Sequence, residues 1–463
     1  MKPSASHLHS LCDPELLRKY DVSGPRYTSY PTAAQFTPDY SDKDFIQASQ
    51  DCDKNSALSL YIHLPFCHSI CYYCACNKIV TRDRSQSETY LQYLEKEMRL
   101  LDQLEWQKRP ISQLHWGGGT PTFLSDDEMT SLMNMTAQHY ALNNDPNREY
   151  SIEIDPRTIN RQRLELLAEL GFNRVSLGIQ DFDPDVQKAI NRFQDVKTIE
   201  QQVDHIRELG FNSINFDLIY GLPFQTEQTV MRTLEQVLAI SPDRISCYNY
   251  AHLPHRFKSQ RSIDRQKLPE PDEKIRLIST VINRLTDEGY IYIGMDHFVK
   301  PEDTLAKALE NHTLMRNFQG YSVNLANDML SLGVSSISHL PRAFSQNAKK
   351  LEDYYQALDE GRLPIEQGLL LNDEDLMRAD IIQQITCHRE LNFKQLGEQY
   401  QIDFASYFSD ALEQLKPLQN DGIVDINDQQ LTISDGGCLF LRHIAMAFDE
   451  HLPHSSAQYS KTI

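Results

Sequence analysis

The chain has 463 residues, a formal net charge of −20 and 40% hydrophobic residues. This length allows one large domain with smaller additions, and the composition is typical of a globular protein. The acidity argues against a nucleic-acid surface, which would need clustered Lys and Arg. No run of about 18 apolar residues occurs and residues 1–20 lack a secretory-signal pattern, so we expect a cytoplasmic protein without a membrane span.

An N-terminal arm is predicted over residues 1–58, where an irregular stretch contains Pro25 and Pro31. From residue 59 onwards, short apolar runs alternate with amphipathic segments. The predicted strands are residues 59–66, 113–117, 149–155, 174–180, 213–220 and 245–251. The predicted helices are residues 87–104, 126–140, 161–170, 196–209 and 226–238. This alternation predicts an α/β fold with a parallel sheet, and six units indicate a partial (β/α)6 TIM-like barrel over residues 59–365.

Two later segments are predicted to close the open side of this barrel, residues 294–298 and 318–321. His297 lies in the first of them. A catalytic role for His297 and a packing role with a hydrogen-bonded ring are both compatible with the sequence.

Residues 366–463 predict a small, mostly helical C-terminal domain. Its predicted elements are helices 373–385, 393–400 and 404–415, strands 422–427 and 430–434, and a last helix 439–448. This order is similar to a winged helix, a shape common in DNA-binding proteins. Because the chain is acidic, we expect a lid or interaction role instead.

The carboxyl end of each predicted barrel strand carries unusual residues. These are the cysteine cluster, residues 117–120, residues 153–155, Gln180 with Asp181, Asp217 with Gly221, and residues 251–254. Parallel strands present their carboxyl ends on the same edge. The sequence therefore predicts one functional site there.

Four of the nine cysteines fall within ten residues: Cys67, Cys71, Cys74 and Cys76. Cysteine thiolates are the usual ligands of iron–sulfur clusters, and four would saturate a cubane. The C-x3-C-x2-C spacing of the first three leaves one iron of a [4Fe–4S] cluster open to the amino and carboxylate groups of a ligand. The alternatives are a zinc site, which usually needs a second C-x2-C pair, and cysteines that are merely buried. Cys76 is a further candidate ligand, but its spacing from Cys74 would strain a cubane.

Two further sets of residues are candidates for ligand binding. Gly117, Gly118 and Gly119 predict a turn whose backbone can approach a zwitterionic amino acid closely, although a glycine triplet can also be only a tight turn. The polar residues expected above the third to fifth strands are Glu153, Gln180, Arg192 and Asp217. Carboxylates and amides accept hydrogen bonds from a ribose diol, and an arginine binds a carboxylate. The alternative is a surface or capping role, which suits Asp217 least because its run is mostly apolar.

These motifs resemble the oxygen-independent coproporphyrinogen III oxidase family of radical S-adenosylmethionine enzymes. The resemblance covers nearly the whole chain. Its most specific stretches are residues 24–33, 74–81, 115–122, 180–182, 248–254 and 294–298. It implies that a reduced [4Fe–4S] cluster cleaves S-adenosylmethionine to methionine and a 5′-deoxyadenosyl radical. The radical takes hydrogen from a propionate of coproporphyrinogen III, CO2 leaves and a vinyl group forms. Two such steps give protoporphyrinogen IX.

The resemblance also implies roles for individual residues. The cluster ligands are Cys67, Cys71 and Cys74. Two S-adenosylmethionine molecules are expected, the first in contact with Tyr61, Gly118 and Glu153. The second is expected to contact Tyr73, Gly119, Thr120, Gln180, Arg192, Asp217, Ala251 and Ile337. Phe318 and Gln319 are expected near the reaction centre, and Arg26, Lys78 and Arg82 are the candidates for the substrate carboxylates. A monomer and an unidentified electron donor and acceptor are also expected.

The chain departs from the family pattern at two places. Ala75 stands where glycine is common, and Ser322 and Val323 stand where two threonines are common. Neither change affects the cysteine motif or the residues expected to bind S-adenosylmethionine. We expect these changes to affect substrate fit or turnover, if they affect any property.

Three alternative functions fit the sequence less well. A haem-binding chaperone of the same fold would lack the arm and the Cys76-Asn77 extension, and both are present. The arm also disfavours a radical methyltransferase acting on tetrapyrroles. A winged-helix regulator with a redox cluster conflicts with the net charge.

Overall fold

The computed structural model describes residues 14–323, 328–452, 459 and 461. The six predicted parallel strands form the centre of its main sheet. They are β1 (Leu58–Leu64), β2 (Pro110–Gly118), β3 (Glu149–Ile154), β4 (Arg174–Gln180), β5 (Ser213–Tyr220) and β6 (Arg244–Asn249). Each pairs in parallel with its neighbour in chain order. The predicted parallel α/β fold is confirmed.

Further strands extend this sheet at both edges. They are β7 (Ile291–Gly294), β8 (His297–Val299), β9 (Asp328–Leu332), β10 (Ile337–Leu340), β11 (Ala343–Asn347) and β12 (Ile365–Leu370). The order is β7-β8-β6-β5-β4-β3-β2-β1-β9-β10-β11-β12. Strand β9 is parallel to β1, whereas β8 is antiparallel to β6. The first closing segment therefore lengthens the sheet beside β6.

The second closing segment forms a hairpin. Its strands are Met315–Asn317 and Gly320–Ser322. The hydroxyl of Ser322 accepts a hydrogen bond from Gln113 Nε2 at 2.5 Å and donates one to Glu149 Oε2 at 3.0 Å. The hairpin thus reaches the polar interior of the barrel near the amino ends of β2 and β3.

Helices cover the outer face of the sheet and build the two flanking regions. The α-helices are Pro14–Lys19, Asp42–Ser49, Ser85–Leu101, Asp126–His139, Arg161–Glu169, Pro184–Ile190, Val196–Glu208, Glu227–Ile240, Pro271–Asp287, Thr304–Glu310, Leu351–Asp359, Asp373–Cys387, Phe393–Tyr400, Phe404–Tyr407, Ser409–Asn420 and Leu441–Met446. Several begin at side-chain caps, such as the capping box of Ser125 with Glu128. Such caps satisfy amide groups that have no partner within the helix. No helix in the described part of the chain is both long enough and apolar enough to span a bilayer.

The apolar side chains form two large clusters. The first lies between the sheet and its helices and includes the fully buried Ile62 and Trp116. The second joins Leu17 and Tyr27 of the arm to the C-terminal region, where Phe440 is fully buried. Because this second cluster also draws on residues 275–321, the domain boundaries at residues 58 and 365 stay predictions.

The C-terminal region differs from its prediction in two details. A third strand, Glu390–Asn392, joins Gln430–Ile433 and Val424–Ile426, so the expected strand pair is a three-stranded sheet. The expected helix 404–415 is divided at Phe408, which caps Ser409–Asn420. Phe408 is buried against Phe448, so packing interrupts a helix that periodicity alone would continue.

Candidate functional site

A cavity of about 450 Å3 lies within the barrel, beneath the loops at the carboxyl ends of its strands. It also reaches polar side chains near the amino ends of the strands, including Gln113 and Ser213. Most of the predicted site residues line it. They are Cys67, Cys71, Tyr73, Cys74, Gly118, Gly119, Thr120, Glu153, Gln180, Arg192, Asp217 and Gln319. The fold therefore brings residues from the whole length of the barrel to one place.

The cysteine loop is held at its base by a short parallel pairing of Phe66–Cys67 with Ile79–Val80. His63 on β1 also holds it. The ring Nε2 of His63 donates to the carbonyl of Asn77 at 3.0 Å, and its Nδ1 accepts from the Tyr61 hydroxyl at 3.0 Å. A carbonyl can only accept, which determines this assignment of the ring nitrogens. The loop is thus fixed at both ends before any ligand binds.

Polar groups surround the three thiols. Thr120 Oγ1 lies 3.5 Å from Cys67 Sγ. Arg192 Nη1 and Arg157 Nη2 lie 3.4 and 3.6 Å from Cys71 Sγ. Such donors can hydrogen-bond to metal-bound thiolates, whereas burial raises the pKa of the free Cys67 thiol to about 11.

The fourth cysteine, Cys76, affects the ionisation of Cys74. A hydrogen bond from Cys76 lowers the pKa of Cys74 to about 6. Within residues 14–323 and 328–452, no three His, Cys, Asp or Glu side chains converge on a single metal ion. In a cubane each thiolate binds a different iron, so its ligands need not converge on one point. Three thiols on one cavity wall, with hydrogen-bond donors around them, fit a [4Fe–4S] cluster.

The glycine turn passes directly against the cysteine loop. Gly119 N donates to Leu64 O at 2.8 Å, and a Cβ at Gly119 would lie 2.5 Å from Pro65 O. Gly118 has a φ of +115°, and a Cβ there would lie 2.6 Å from the His63 ring. Both positions therefore require glycine for steric reasons.

We expect Gly118→Ala to weaken S-adenosylmethionine binding by about thirtyfold, because overpacking of this kind costs roughly 2 kcal/mol. The side chain would push the His63 ring away from Asn77. Equilibrium dialysis with the cluster-loaded protein measures the affinity. Gly289→Ala is the matched control, since its φ is +87° but no atom lies within 4 Å of the added Cβ. Unchanged affinity in Gly118→Ala would contradict the steric argument.

Glu153 is held beside this turn. Its Oε2 accepts from Gly118 N at 3.0 Å, and its Oε1 accepts from His115 Nε2 at 3.3 Å. The Nδ1 of His115 is then left to accept from Ser151 Oγ at 2.5 Å. Burial opposes ionisation of Glu153, but the hydrogen bond from His115 keeps the pKa below its ordinary value. Glu153 is therefore an oriented, ionised acceptor at the cavity wall.

Arg192 occupies the opposite wall. It is buried, donates to Gly178 O from Nε at 3.0 Å and forms an ion pair with Asp155 at 3.2 Å. Asp155 also pairs with Arg157 at 2.6 Å. Gln180, which ends β4, has a φ of +69°, a conformation that is uncommon for residues other than glycine. These residues form a rigid polar wall next to Cys71.

Asp217 lies in the middle of the barrel. Its carboxylate accepts from Ser176 Oγ at 2.7 Å and from Asn215 Nδ2 at 3.0 Å. Burial raises the pKa of Asp217 to about 6 despite the hydrogen bond from Ser176. A buried carboxylate with this pKa is typical of a functional site.

Four of the predicted site residues do not line the cavity. Tyr61 stacks on His115, with ring centroids 5.7 Å apart. Phe318 and Ile337 pack in a separate apolar cluster around Phe344. The fourth, Ala251, is tied to the cysteine loop through Gln260.

Gln260 is one of four residues with a supporting role that were not candidates from the sequence. Its Nε2 donates to the carbonyls of Tyr73 and Ala251 at 3.0 and 3.2 Å. The other three are His63, His115 and Arg157, whereas Asp155 belongs to the predicted strand end 153–155. His63 and His115 could have been found from the two-residue alternation of β1 and β2, which puts them on the same face as Tyr61 and Gln113. Arg157 and Gln260 lie on irregular segments, and nothing in the sequence marked them.

Comparison with known proteins identifies the family. Residues 61–237 match the model of the radical SAM superfamily. The oxygen-independent coproporphyrinogen III oxidase of Pseudomonas aeruginosa is 46% identical over 97% of this chain and 98% of its own length. The enzyme of the same name from Escherichia coli is 43% identical over the same shares. The solved structure of coproporphyrinogen III oxidase from Escherichia coli matches with a TM-score of 0.89, covering 92% of this chain and 97% of that one. The chain belongs to the oxygen-independent coproporphyrinogen III oxidase family of radical SAM enzymes.

Proposed function

We propose that this chain converts two propionate side chains of coproporphyrinogen III to vinyl groups by oxygen-independent oxidative decarboxylation, giving protoporphyrinogen IX. The observation that carries the proposal is the convergence of the three thiols, the glycine turn and Glu153 on one cavity. The substrate is the one named for the relatives. A haem-binding chaperone does not abstract hydrogen and therefore does not need this arrangement. An enzyme explains the arrangement better.

When bound, the cluster and S-adenosylmethionine would supply a radical able to take hydrogen from a propionate side chain. The residues of the chain bind, orient and protect these groups. Cys67, Cys71 and Cys74 hold the cluster. Glu153 and the Gly118 backbone orient the amino acid part of S-adenosylmethionine, and the walls of the barrel exclude water from the reacting atoms.

Two S-adenosylmethionine molecules form part of the proposal. The first contacts Tyr61, Gly118 and Glu153. The second contacts Tyr73, Gly119, Thr120, Gln180, Arg192, Asp217, Ala251 and Ile337. In support, most members of both sets border the cavity, and Tyr61 stacks on the lining residue His115. Ile337, which packs in the apolar cluster around Phe344, has the least support.

Phe318 and Gln319 are proposed to lie at the reaction centre. Gln319 lines the cavity, and its buried Nε2 has no hydrogen-bond partner in the described part of the chain. A buried donor of this kind is costly unless a ligand satisfies it. Phe318 is held edge-on to Phe344, with ring centroids 5.7 Å apart, which gives it a fixed position next to Gln319.

The substrate carboxylates need local positive charge in an acidic protein. Lys78 lines the cavity, and Arg26 donates to Asn249 O at 3.3 Å just above β6. We propose both as carboxylate partners. Arg82 is exposed and does not line the cavity, so it has the least support. A monomer, a cytoplasmic location and separate electron donor and acceptor partners complete the proposal.

Product analysis tests the function. Anaerobically reconstituted protein with reductant, S-adenosylmethionine and coproporphyrinogen III should release CO2 and form the divinyl product, detected by mass spectrometry. Formation of 5′-deoxyadenosine without a vinyl product would leave the radical chemistry standing and refute the substrate.

Asp217 predicts a pH dependence of cofactor binding. Because its folded pKa is about 6, the carboxylate is protonated below that pH and loses a site that accepts from ribose hydroxyls. We expect S-adenosylmethionine affinity to rise about tenfold as pH increases through about 6. Asp217→Asn should bind weakly with no such rise.

The matched control for this measurement is Asp428→Asn, an exposed aspartate in the C-terminal region. It should keep the pH dependence of the unaltered protein. If Asp217→Asn also keeps it, another group causes the titration.

A further inference from the structure

A second pocket of about 410 Å3 lies on the outer side of the cysteine loop. We call it the outer pocket, and its ionisable lining residues are His68, Arg84, Asp155, Arg157 and Arg163. It shares Ser69, Thr120 and Asp155 with the main cavity. The segment that begins at the cluster ligand Cys67 therefore forms a wall between the two spaces.

The outer pocket is positively charged in a chain whose net charge is −20. Three guanidinium groups face it, against one lining carboxylate. That carboxylate, Asp155, is already bound by Arg157 and Arg192 at 2.6 and 3.2 Å. Arg163 pairs with Asp126 at 2.8 Å. Arg84 is exposed, donates to the carbonyl of Phe123 and lies 4.6 Å above the Phe123 ring. These neighbours are uncharged, so they leave its positive charge to act on a partner at the surface.

A direct contact leads from this pocket to the cysteine ligands. Arg157 Nη2 lies 3.6 Å from Cys71 Sγ, and the Arg157 side chain is 23% exposed. The neighbouring Ser69 is also exposed. A molecule bound in the outer pocket would thus be separated from a ligand sulfur by a single side chain.

The proposed reaction needs an electron from outside for each radical formed. During turnover, S-adenosylmethionine and substrate occupy the main cavity, so the inner face of the cysteine loop is covered. The outer face remains, and its positive charge attracts a negative partner over a distance of about a Debye length.

We propose that the outer pocket is the docking site of an acidic one-electron donor protein. The reduced donor loses one electron, and the cluster held by Cys67, Cys71 and Cys74 gains it, changing from the 2+ to the 1+ state. No bond to the protein forms or breaks. The inference rests on the proposed function only through the presence of the cluster.

The test compares two reductants of the cluster-loaded protein. Flavodoxin hydroquinone is the acidic protein probe, and photoreduced 5-deazariboflavin is the small uncharged reductant. We expect Arg84→Glu to slow cluster reduction by flavodoxin at least about tenfold and to weaken flavodoxin binding, because steering charge mainly sets the association rate. Visible absorbance follows the reduction, and flavin fluorescence follows the binding. Reduction by deazariboflavin should be unchanged.

Two further variants and a salt series sharpen the result. Arg84→Lys keeps the charge and should restore most of the rate. Lys394→Glu, an exposed change of the same charge on the helix Phe393–Tyr400, should have no effect. The difference between Arg84→Glu and the unaltered protein should disappear at about 0.5 M salt, where exposed charges are screened.

Three outcomes would overturn the proposal. The first is an unchanged flavodoxin rate in Arg84→Glu. The second is equal slowing with both reductants, which would assign Arg84 to the support of the loop. The third is binding of inorganic phosphate in this pocket without binding of flavodoxin, which would make it a small-anion site. Failure of the decarboxylation assay alone leaves the reduction kinetics intact, so the two failures are distinguishable.

Discussion

Replacing Cys71 with serine is expected to abolish S-adenosylmethionine cleavage, with a loss of at least about a thousandfold. A hydroxyl does not ionise near neutral pH, so only two thiolates would remain for the cluster. Arg157 and Arg192, which lie 3.6 and 3.4 Å from the sulfur, would also lose their anionic neighbour. Iron and sulfide content should fall together with the formation of 5′-deoxyadenosine.

The control for this prediction is Cys438→Ser. Cys438 is also buried, lies in the C-terminal region and donates weakly to Ser434 O, which a hydroxyl can do as well. It should keep four irons per chain. A full cluster and normal cleavage in Cys71→Ser would refute the ligand assignment, and equal loss in both variants would point to general instability.

Replacing Glu153 with glutamine should weaken S-adenosylmethionine binding by roughly a hundredfold, or about 3 kcal/mol, while the cluster remains. One carboxylate oxygen accepts a hydrogen bond from Gly118 N at 3.0 Å, and the other accepts one from His115 Nε2 at 3.3 Å. An amide has only one accepting oxygen, so its NH2 group would face a donor. It also lacks the negative charge that attracts an amino group. Equilibrium dialysis and the visible spectrum measure the two properties separately.

Glu165→Gln is the matched change outside the site, on the helix Arg161–Glu169, where the side chain is 45% exposed. It should leave affinity unaltered. If Glu153→Gln retains both affinity and cluster, then Glu153 serves only to hold the glycine turn. Loss of iron in Glu153→Gln would instead show that the turn supports the cysteine loop.

The two departures from the family pattern have unequal consequences. Ala75 is exposed on the cysteine loop. Ser322 retains the hydroxyl that links Gln113 to Glu149, so the loss of a threonine methyl leaves the hydrogen bonds in place. Val323 packs partly buried against the second apolar cluster. All three substitutions are therefore compatible with an intact barrel.

The central strands could be predicted because each combines an apolar run with a flanking amphipathic segment, a purely local signal. The edge strands could not. β9 pairs in parallel with β1 although about 270 residues separate them in the chain. Such pairings are determined by the tertiary fold, and local periodicity does not report them.

The same division applies to the site. The sequence by itself made the three cysteines and the glycine turn candidates, because their chemistry requires a particular residue type at a particular spacing. It made Glu153 a candidate through its place at the end of a predicted strand and through the family resemblance. It could not identify the residues that hold them in place. His63 fixes the cysteine loop, which follows β1. Arg157, which contacts Cys71, lies in the connection that follows β3.

Only the tertiary structure decided which of these groups face the same cavity and which lie behind its wall. Orientation depends on packing between segments distant in the chain, as when Gln260 connects Tyr73 to Ala251. The tertiary structure also revealed that the cysteine loop has two faces, one toward the main cavity and one toward the outer pocket with Arg84. The sequence specifies the chemistry of each residue through its type, whereas access, charge around the site and neighbours arise from the folding of the whole chain.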